Sequence, residues 1–242
     1  MLARQLLPML RPHRLKDARK VRVGRHFDGG YVMLDRFAGM EAAYSLGIND
    51  ETSWDFDMAQ RGLHVYQYDH TIDGISYQHP LFHWFKIGIS GRPEPEKSLD
   101  TLERLVEANG HSGNRNLILK CDIEGAEWDM LINTPNSVLA QFSQIVVEMH
   151  NLDRIRDPGP AAVARAALIN LCASHRVVHV HANNYAELTL VGGYPVPATL
   201  EVTLARVDLG EFSPSDESFP TPLDMPCNGL AADIHLGRFE FV

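Results

Sequence analysis

Acidic and imidazole side chains follow two apolar runs, and they are the residues of this chain best suited to chemistry. One run leads into Asp122, with Glu124 two positions later; the other leads into Glu148, with His150 two positions later. In an open α/β sheet, ligands bind beyond the carboxyl ends of the strands. Groups placed there can hold a metal ion, orient a polar substrate or accept a proton. The alternative is structural, since acids also stabilise helix N-termini.

If the strands that end at Asp122 and Glu148 are neighbours, their carboxylates meet and require a cation or a shared proton. Oxygen ligands favour magnesium, calcium or manganese over zinc, so we predict a Mg²⁺ or Mn²⁺ site. His150 is the first choice for a catalytic base because its ordinary pKa lies near neutrality. Glu124 and His181 remain the alternatives.

A nucleotide-type cofactor is predicted from the loop after the first strand. Gly47 would let a ligand approach the backbone, and Asp69 follows about 20 positions later, where an acid typically binds ribose hydroxyls. The loop carries Asn49, Asp50 and Glu51 and lacks Gly-x-Gly-x-x-Gly, so it suits a ribose ligand with a cationic group, such as S-adenosylmethionine. A plain turn and a loop acid are the alternatives.

Two further segments complete the predicted cofactor site. The adjacent glycines before Tyr31 allow a tight turn that could cover the ligand, and residues 88–90 would flank its adenine. The predicted cofactor-binding residues are Gly29, Gly30, Tyr31, Ser45, Gly47, Asn49, Asp69, Gly88 and Ser90.

Strand and helix patterns alternate along the chain, which predicts a parallel sheet covered by helices on both faces. The predicted strands of this α/β fold are 42–47, 63–69, 82–89, 116–122, 144–148, 176–181 and 200–207. The predicted helices are 51–61, 98–108, 124–132 and 157–174. We expect a single domain over 1–242, with an N-terminal helix and hairpin in 1–40 and an irregular C-terminal arm in 208–228.

Composition narrows the function classes. A net charge of −9, from 22 basic and 31 acidic residues, argues against nucleic-acid binding. No segment is apolar enough to span a membrane or serve as a secretory signal, so a cytoplasmic protein is expected. His179 and His181 have the spacing of a zinc pair, but no cysteine follows at a typical distance, and the three cysteines are too scattered for a zinc site.

Five segments carry a resemblance to a known family. They are Asp28-Gly29-Gly30-Tyr31, Ser45-Leu46-Gly47, Asp122-Ile123-Glu124-Gly125-Ala126-Glu127-Trp128, Glu148-Met149-His150 and His181-Ala182-Asn183-Asn184. In this order the chain resembles the FkbM-like S-adenosylmethionine-dependent methyltransferases over roughly residues 20–205. The resemblance implies a class I methyltransferase fold, a doubly wound, Rossmann-like seven-stranded sheet with its last strand antiparallel.

The resemblance also implies O-methylation, often of a sugar or another hydroxyl metabolite; an enzyme of methylated mannose polysaccharide is one specific form. Asp122 and Glu148 match the acids that bind magnesium in related sugar O-methyltransferases. Met149 stands where those enzymes carry a second acid, so His150 is either a substitute metal ligand or the base.

Two other function classes fit parts of the pattern. A catalytically silent Rossmann-like module would bind an adenosine-type ligand without needing the acid and histidine set. A nicotinamide oxidoreductase is disfavoured by the missing glycines. The expected partner is a small molecule or oligosaccharide, and a homodimer is compatible with the sequence.

Overall fold

The computed structural model describes residues 2–241. Its strands are β1 (His13–Leu15), β2 (Lys20–Val23), β3 (Tyr31–Leu34), β4 (Ala42–Leu46), β5 (His64–Tyr68), β6 (Phe82–Phe85), β7 (Gly88–Ile89), β8 (Leu99–Asp100), β9 (Leu117–Cys121), β10 (Phe142–Met149), β11 (His175–Ala182), β12 (Leu188–Val191), β13 (Tyr194–Pro197), β14 (Leu200–Arg206) and β15 (Phe212–Pro214). Its α-helices are α1 (Leu2–Leu6), α2 (Ser53–Gln60), α3 (Leu102–Ala108), α4 (Glu127–Asn133), α5 (Asn136–Leu139) and α6 (Pro158–Cys172). Short 3₁₀ helices cover Leu7–Leu10, Pro95–Lys97, Leu152–Arg156 and Val207–Leu209.

The main sheet has seven strands in the order β11-β14-β10-β9-β4-β5-β6. Strand β14 runs antiparallel to both of its neighbours, whereas the pairs β10–β9, β9–β4, β4–β5 and β5–β6 are parallel. This is the predicted class I methyltransferase arrangement, and the predicted fold is confirmed.

Strands β9 and β10 are neighbours, with Cys121 opposite Val147. The chain therefore leaves both strands at the same edge, as the predicted meeting of Asp122 and Glu148 requires. Both strands are buried along their whole length. Continuous burial explains why their sequences are apolar runs rather than alternating patterns.

Helices cover both faces of the sheet. Helix α6 begins at Pro158 and packs its small and apolar side, including Ala164 and Leu168, into the larger core cluster. Helix α2 and the β2–β3 hairpin cover the other face, where Trp54 and Met33 lie in a second cluster. The two clusters fix the sheet, so the loops at its carboxyl edge project from a rigid base.

Several predicted boundaries were wrong. The expected third strand ends at Phe85, because Gly88–Ile89 pairs instead with Leu99–Asp100 in a separate small sheet. Helix α3 begins after Thr101, whose hydroxyl accepts a hydrogen bond from the Arg104 amide, rather than at Ser98. The β12–β13 hairpin was not predicted.

The two ends of the chain also differ from the prediction. The N-terminal helix is short, and β1 follows it and pairs with β15 inside the predicted irregular arm. Residues after 214 have little regular structure, yet they pack on the β11 side of the sheet through side-chain contacts such as His179 with Asp224. Among residues 2–241, no helix is both long and apolar enough to cross a bilayer.

Candidate functional site

A cavity of about 510 Å³ lies at the carboxyl edge of the sheet, beneath the loops that follow β4, β5 and β9. Its lining includes the predicted cofactor residues Gly29, Tyr31, Gly47, Asn49, Asp69, Gly88 and Ser90. It also includes Arg25, Asp28, Asp50, Glu51, Tyr68, Thr71, Lys120, Asp122, Ile123 and Glu124. Most of the predicted cofactor site is therefore brought together around one space; we call it the first cavity.

Gly30 and Ser45 are not among the residues that line the first cavity, and the structure gives each another position. A Cβ atom on Gly30 would lie 2.0 Å from the Arg25 carbonyl oxygen, so this glycine serves close packing within the hairpin turn. Ser45 is fully buried within β4, below the cavity floor. Neither residue is placed for direct contact with a ligand there.

Gly47 is required by its neighbour on the next strand. Its φ is +75°, and a Cβ atom would lie only 1.6 Å from the Asp122 carbonyl oxygen. Its own carbonyl accepts a hydrogen bond of 2.7 Å from the buried Lys120 ammonium. The glycine thus permits the loops after β4 and β9 to meet at the cavity floor.

Asp69 organises the loop that forms one wall of the first cavity. One carboxylate oxygen accepts the amides of Ile48 and Asn49, both at 2.9 Å. The other accepts the Thr71 amide at 2.8 Å and its hydroxyl at 2.6 Å. Burial raises the pKa of Asp69, but these hydrogen bonds outweigh it and lower the pKa below its ordinary value. The carboxylate already accepts four hydrogen bonds. A ribose hydroxyl that donates to it, as predicted, would have to share its oxygen atoms with these donors.

The turn between β2 and β3 closes the first cavity from above. Arg25 forms an ion pair of 2.6 Å with Glu51 in the loop before α2. A Cβ atom on Gly29 would lie 2.4 Å from the Glu51 side chain, so the turn approaches that loop closely. Tyr31 is buried, and its hydroxyl donates to Asp122 at 3.4 Å. The predicted covering turn therefore lies over the cavity.

A second cavity, of about 360 Å³, adjoins the first. Its lining consists of Asp28, Asp122, Glu124, Glu148, His150, Asn183, Tyr185, Ala186 and Thr199. Asp28, Asp122 and Glu124 line both cavities. Of the acid and histidine set predicted from the ends of β9 and β10, Asp122 and Glu124 thus lie in a wall shared by the two cavities, whereas Glu148 and His150 line the second cavity only.

His150 is oriented by a buried carboxylate that the sequence analysis did not single out. Its Nδ1 lies 3.0 Å from Oε1 of Glu127, a fully buried side chain. The same oxygen accepts the amides of Ile123 and Gly125, at 2.9 and 3.1 Å. Because a carboxylate only accepts, Nδ1 carries the proton and Nε2 is the acceptor of the neutral ring.

Three acids surround the His150 ring and determine its charge. Nε2 lies 3.6 Å from Glu124 and 3.8 Å from Glu148, besides the contact of Nδ1 with Glu127. Burial lowers the pKa of His150, but the hydrogen bond and charge of Glu127, with the charges of Asp122 and Glu124, raise it overall. Glu124 itself extends toward solvent, its side chain 87% exposed.

The carboxylates of the wall repel one another. Burial and the charges of Asp122 and Glu201 raise the pKa of Glu148 well above its ordinary value, although Asn183 donates to it at 2.7 Å. Burial also raises the pKa of Asp122, opposed by Lys120 and His150. Burial and mutual repulsion therefore favour a shared proton or a bound cation at these carboxyl groups.

His181 does not face this wall as a free base. Its Nδ1 lies 2.7 Å from Glu201 and its Nε2 lies 3.2 Å from Asp233. Burial lowers the pKa of His181, but the hydrogen bonds with Asp233 and Glu201 raise it to about 10. A ring held as a cation between two carboxylates is poorly suited to accept a proton, so the structure speaks against this third choice of base.

The predicted metal ligands fall into two sets. Asp122 lies with Glu127 and His150, and Glu148 lies with Asp28 and Glu201; within each set the ligand atoms are within 4.8 Å of one another. The predicted trio of Asp122, Glu148 and His150 does not form one such set. Asp28, Glu127 and Glu201 were missed, although Glu127 belongs to the acidic stretch after β9 that drew attention to Asp122.

Comparisons with known proteins agree with the fold. A human protein named "Probable methyltransferase-like protein 24" is 30% identical over 118 residues, which covers 44% of this chain and 32% of that protein. The rat protein of the same name is 30% identical over 117 residues, with the same coverage. The match thus spans about a third of the length of these relatives. No family model matches the chain.

Among solved structures, a putative hemolysin from Streptococcus thermophilus is 12% identical, with a TM-score of 0.37, over 75% of this chain and 73% of that one. The two mammalian relatives are named as methyltransferase-like, and the strand order is consistent with a class I methyltransferase fold.

Proposed function

We propose that this protein is an S-adenosylmethionine-dependent O-methyltransferase that acts on a hydroxyl of a sugar or a related polar metabolite. The observation that carries the proposal is the pair of adjacent cavities whose common wall contains Asp28, Asp122 and Glu124. The methyl donor would occupy the first cavity and the acceptor the second, so that transfer takes place across this wall.

The first cavity suits the proposed cofactor. Its volume of about 510 Å³ lies in the range of small-molecule sites. Carboxylates outnumber basic side chains in its lining, which favours a ligand with cationic groups. When bound, S-adenosylmethionine supplies an electrophilic methyl group on a sulfonium. The loop around Gly47 would border its methionine end, Asp69 and Asn49 its ribose, and Gly88 with Ser90 its adenine.

The second cavity suits an acceptor rich in hydroxyl groups. Its walls offer the Glu148 carboxylate, the Asn183 amide and the Tyr185 hydroxyl, with few apolar groups. Such groups exchange hydrogen bonds with hydroxyls in several directions. A sugar ring, or an oligosaccharide end, therefore matches the lining better than an apolar or anionic acceptor.

His150 is the proposed base. The residue lines the second cavity, where its Nε2 would take the hydroxyl proton, while Glu127 holds Nδ1–H and stabilises the charged ring that results. Glu124 is the alternative, since it lines both cavities. Orientation and deprotonation are the work required, because a neutral alcohol is a weak nucleophile.

A divalent cation, Mg²⁺ or Mn²⁺, is part of the proposal. Asp122 or Glu148 would hold it, each with the other members of its own ligand set, because the two carboxylates do not belong to one set of converging ligand atoms. His150, which lies in the set of Asp122, is a further ligand if it is not the base. The fit rests on the oxygen donors of these carboxyl groups. Burial raises the pKa of both, and the charge of Asp122 raises that of Glu148 further. A bound cation would lower the pKa of an acceptor hydroxyl and help to orient it.

Calorimetry and a transfer assay test the proposal. We expect the full chain to bind S-adenosylmethionine and not NAD, and to methylate members of a panel of sugars and polyols. Activity should fall after exhaustive chelation and return with Mg²⁺. Full activity without metal would contradict the proposed role of the cation, but not the proposed methyl transfer. Binding without any turnover would favour the silent module, and binding of NAD alone would overturn the cofactor assignment.

A further inference from the structure

A second group of metal-binding side chains lies on the β11–β14 side of the sheet, where the C-terminal segment packs. His181, Glu201 and Cys227 each place one ligand atom within 4.8 Å of the other two, and all three residues are buried. The Cys227 thiol donates to one Glu201 oxygen at 3.4 Å, and the His181 Nδ1 faces the other at 2.7 Å. Imidazole nitrogen, carboxylate oxygen and sulfur thus converge on one point.

The backbone fixes these positions independently of the three side chains. His181 and Glu201 lie directly opposite each other in the β11–β14 ladder. The segment bearing Cys227 is attached through a reciprocal pair, in which Asn184 donates to the Asn228 carbonyl at 3.0 Å and the Asn228 amide donates to the Asn184 side chain at 2.6 Å. The ligands are therefore arranged in advance, and an ion would not have to order them.

The donor types select the metal. A nitrogen, oxygen and sulfur set suits zinc, whereas magnesium and calcium prefer oxygen alone. Zinc bonds are about 2.0–2.3 Å long, so donors separated by up to roughly twice that length can share one ion after small side-chain shifts. The other nitrogen of His181 faces Asp233 at 3.2 Å, the contact with which a carboxylate typically orients a metal-bound histidine.

The surrounding charge also favours a cation. Glu201 belongs both to this group and to the set with Asp28 and Glu148, so carboxylates crowd the position. In the structure, the His181 ring opposes the charge of Glu201 from one side. A divalent ion between Nδ1 and the carboxylate would take the place of the proton they share and add one more positive charge.

We propose that His181, Glu201 and Cys227 form a zinc site that fastens the C-terminal segment to the sheet. The site has three protein ligands, and none of them lines either cavity. It does not depend on methyl transfer, and it would exist in a protein that merely binds an adenosine-type ligand.

Cobalt serves as the optical probe. The full-length protein, freed of metal by dialysis against a chelator, is titrated with Co²⁺ under reducing conditions. We expect one equivalent to give a near-ultraviolet thiolate-to-cobalt charge-transfer band, which Zn²⁺ abolishes and excess Mg²⁺ leaves unchanged. Cys227→Ser should lose the band, whereas the matched variant Cys172→Ser should keep it. Asp233→Asn should retain the band with affinity lowered about 10–100-fold.

Circular dichroism checks that each variant is folded. If Cys227→Ser is not folded, the Asp233→Asn titration and the zinc content of wild-type protein purified without chelators provide the test. Absence of a thiolate band in the wild type overturns the site. The site is also overturned if folded Cys227→Ser keeps the thiolate band or if folded Cys172→Ser loses it.

Discussion

At the scale of single residues, the proposed chemistry depends on a histidine and the buried carboxylate beside it. Glu127 receives two backbone amides and the His150 ring, so the ring cannot turn without breaking a buried contact. Orientation of an imidazole by a carboxylate is common to many bases in enzymes. The pair gives two predictions, one for the amount of activity and one for its dependence on pH.

Replacement of His150 by alanine should lower turnover by about 10²–10⁴-fold, because the acceptor hydroxyl loses its base. Calorimetric affinity for S-adenosylmethionine should stay close to that of the wild type, since the ring lines the second cavity and not the first. His235→Ala, at an exposed ring, is the control. If His150→Ala keeps the turnover of the wild type across a pH range of about 6 to 9, His150 is not the base and Glu124 becomes the candidate.

Replacement of Glu127 by glutamine should shift the pH profile. The wild-type pKa of His150 is raised by Glu127, and the ring must be neutral to accept a proton, so turnover should rise with pH through a limb above about 6.5. Glutamine removes the charge, lowers the pKa of His150 and moves that limb to lower pH. Initial rates measured as a function of pH test this prediction. If the rising limb lies at the same pH in both proteins, a group other than His150 controls it.

At the scale of the elements, the loop after β4 is tied to its neighbours by contacts that leave little room. Gly47 lies against the Asp122 backbone, Lys120 holds the Gly47 carbonyl, and Asp69 holds the next two amides. These contacts join β4, β5 and β9 at the carboxyl edge. The floor of the first cavity is therefore expected to be rigid.

Alanine at position 47 should lower the free energy of unfolding in two ways. A side chain in the left-handed region costs about 1 kcal/mol, and overlap with the Asp122 oxygen adds about 1–3 kcal/mol of displaced backbone. Gly39→Ala is the matched control, because its φ is +81° but a Cβ atom there meets nothing within 4 Å. Urea unfolding should show a clearly larger decrease in the free energy of unfolding for Gly47→Ala than for Gly39→Ala. Equal decreases would mean that the loop shifts to accommodate the side chain without loss of stability.

At the scale of the whole molecule, the C-terminal segment is part of the fold. Strand β15 pairs with β1, Asp224 contacts His179 at 2.8 Å, and Asp233 contacts His181. The ends of the chain are thereby joined on the β11 side of the sheet. Charged contacts contribute to this attachment, so it should respond to pH.

Asp224→Asn should lower the free energy of unfolding by about 1–3 kcal/mol near neutral pH, the cost of weakening a buried hydrogen bond to a charged group. Burial raises the pKa of Asp224, but the His179 contact lowers it overall. Its contribution is therefore complete above the unfolded pKa and is lost as the pH falls through the folded one, below about pH 4.

Urea unfolding at neutral and acidic pH tests this sign. The wild type should lose more stability on acidification than Asp224→Asn does, and the two should converge at low pH. Asp216→Asn, at an exposed position of the same segment, should follow the wild type. A constant difference between the wild type and Asp224→Asn at every pH would contradict the linkage.

The sequence by itself determined the sheet and the placement of the acids at its edge. Buried strands must be apolar, and side chains that follow them must lie at the carboxyl edge, so the positions of Asp122, Glu148 and His150 could be predicted without coordinates. The class I order and the antiparallel last strand came from the resemblance of five short motifs. The apolar strand patterns and the short motifs each involve residues that are close together in the sequence.

Only the tertiary structure decided which groups meet. Glu127, Glu201 and Cys227 approach their partners through strand order and the return of the C-terminal segment, and no local spacing encodes those contacts. For the same reason, His181 appeared free in the sequence but lies between Glu201 and Asp233. Gly47 was predicted to border a ligand, and the structure adds a second reason for glycine there, the close approach of the Asp122 backbone. Periodicity fixes the elements, whereas long-range packing fixes the partners of each side chain.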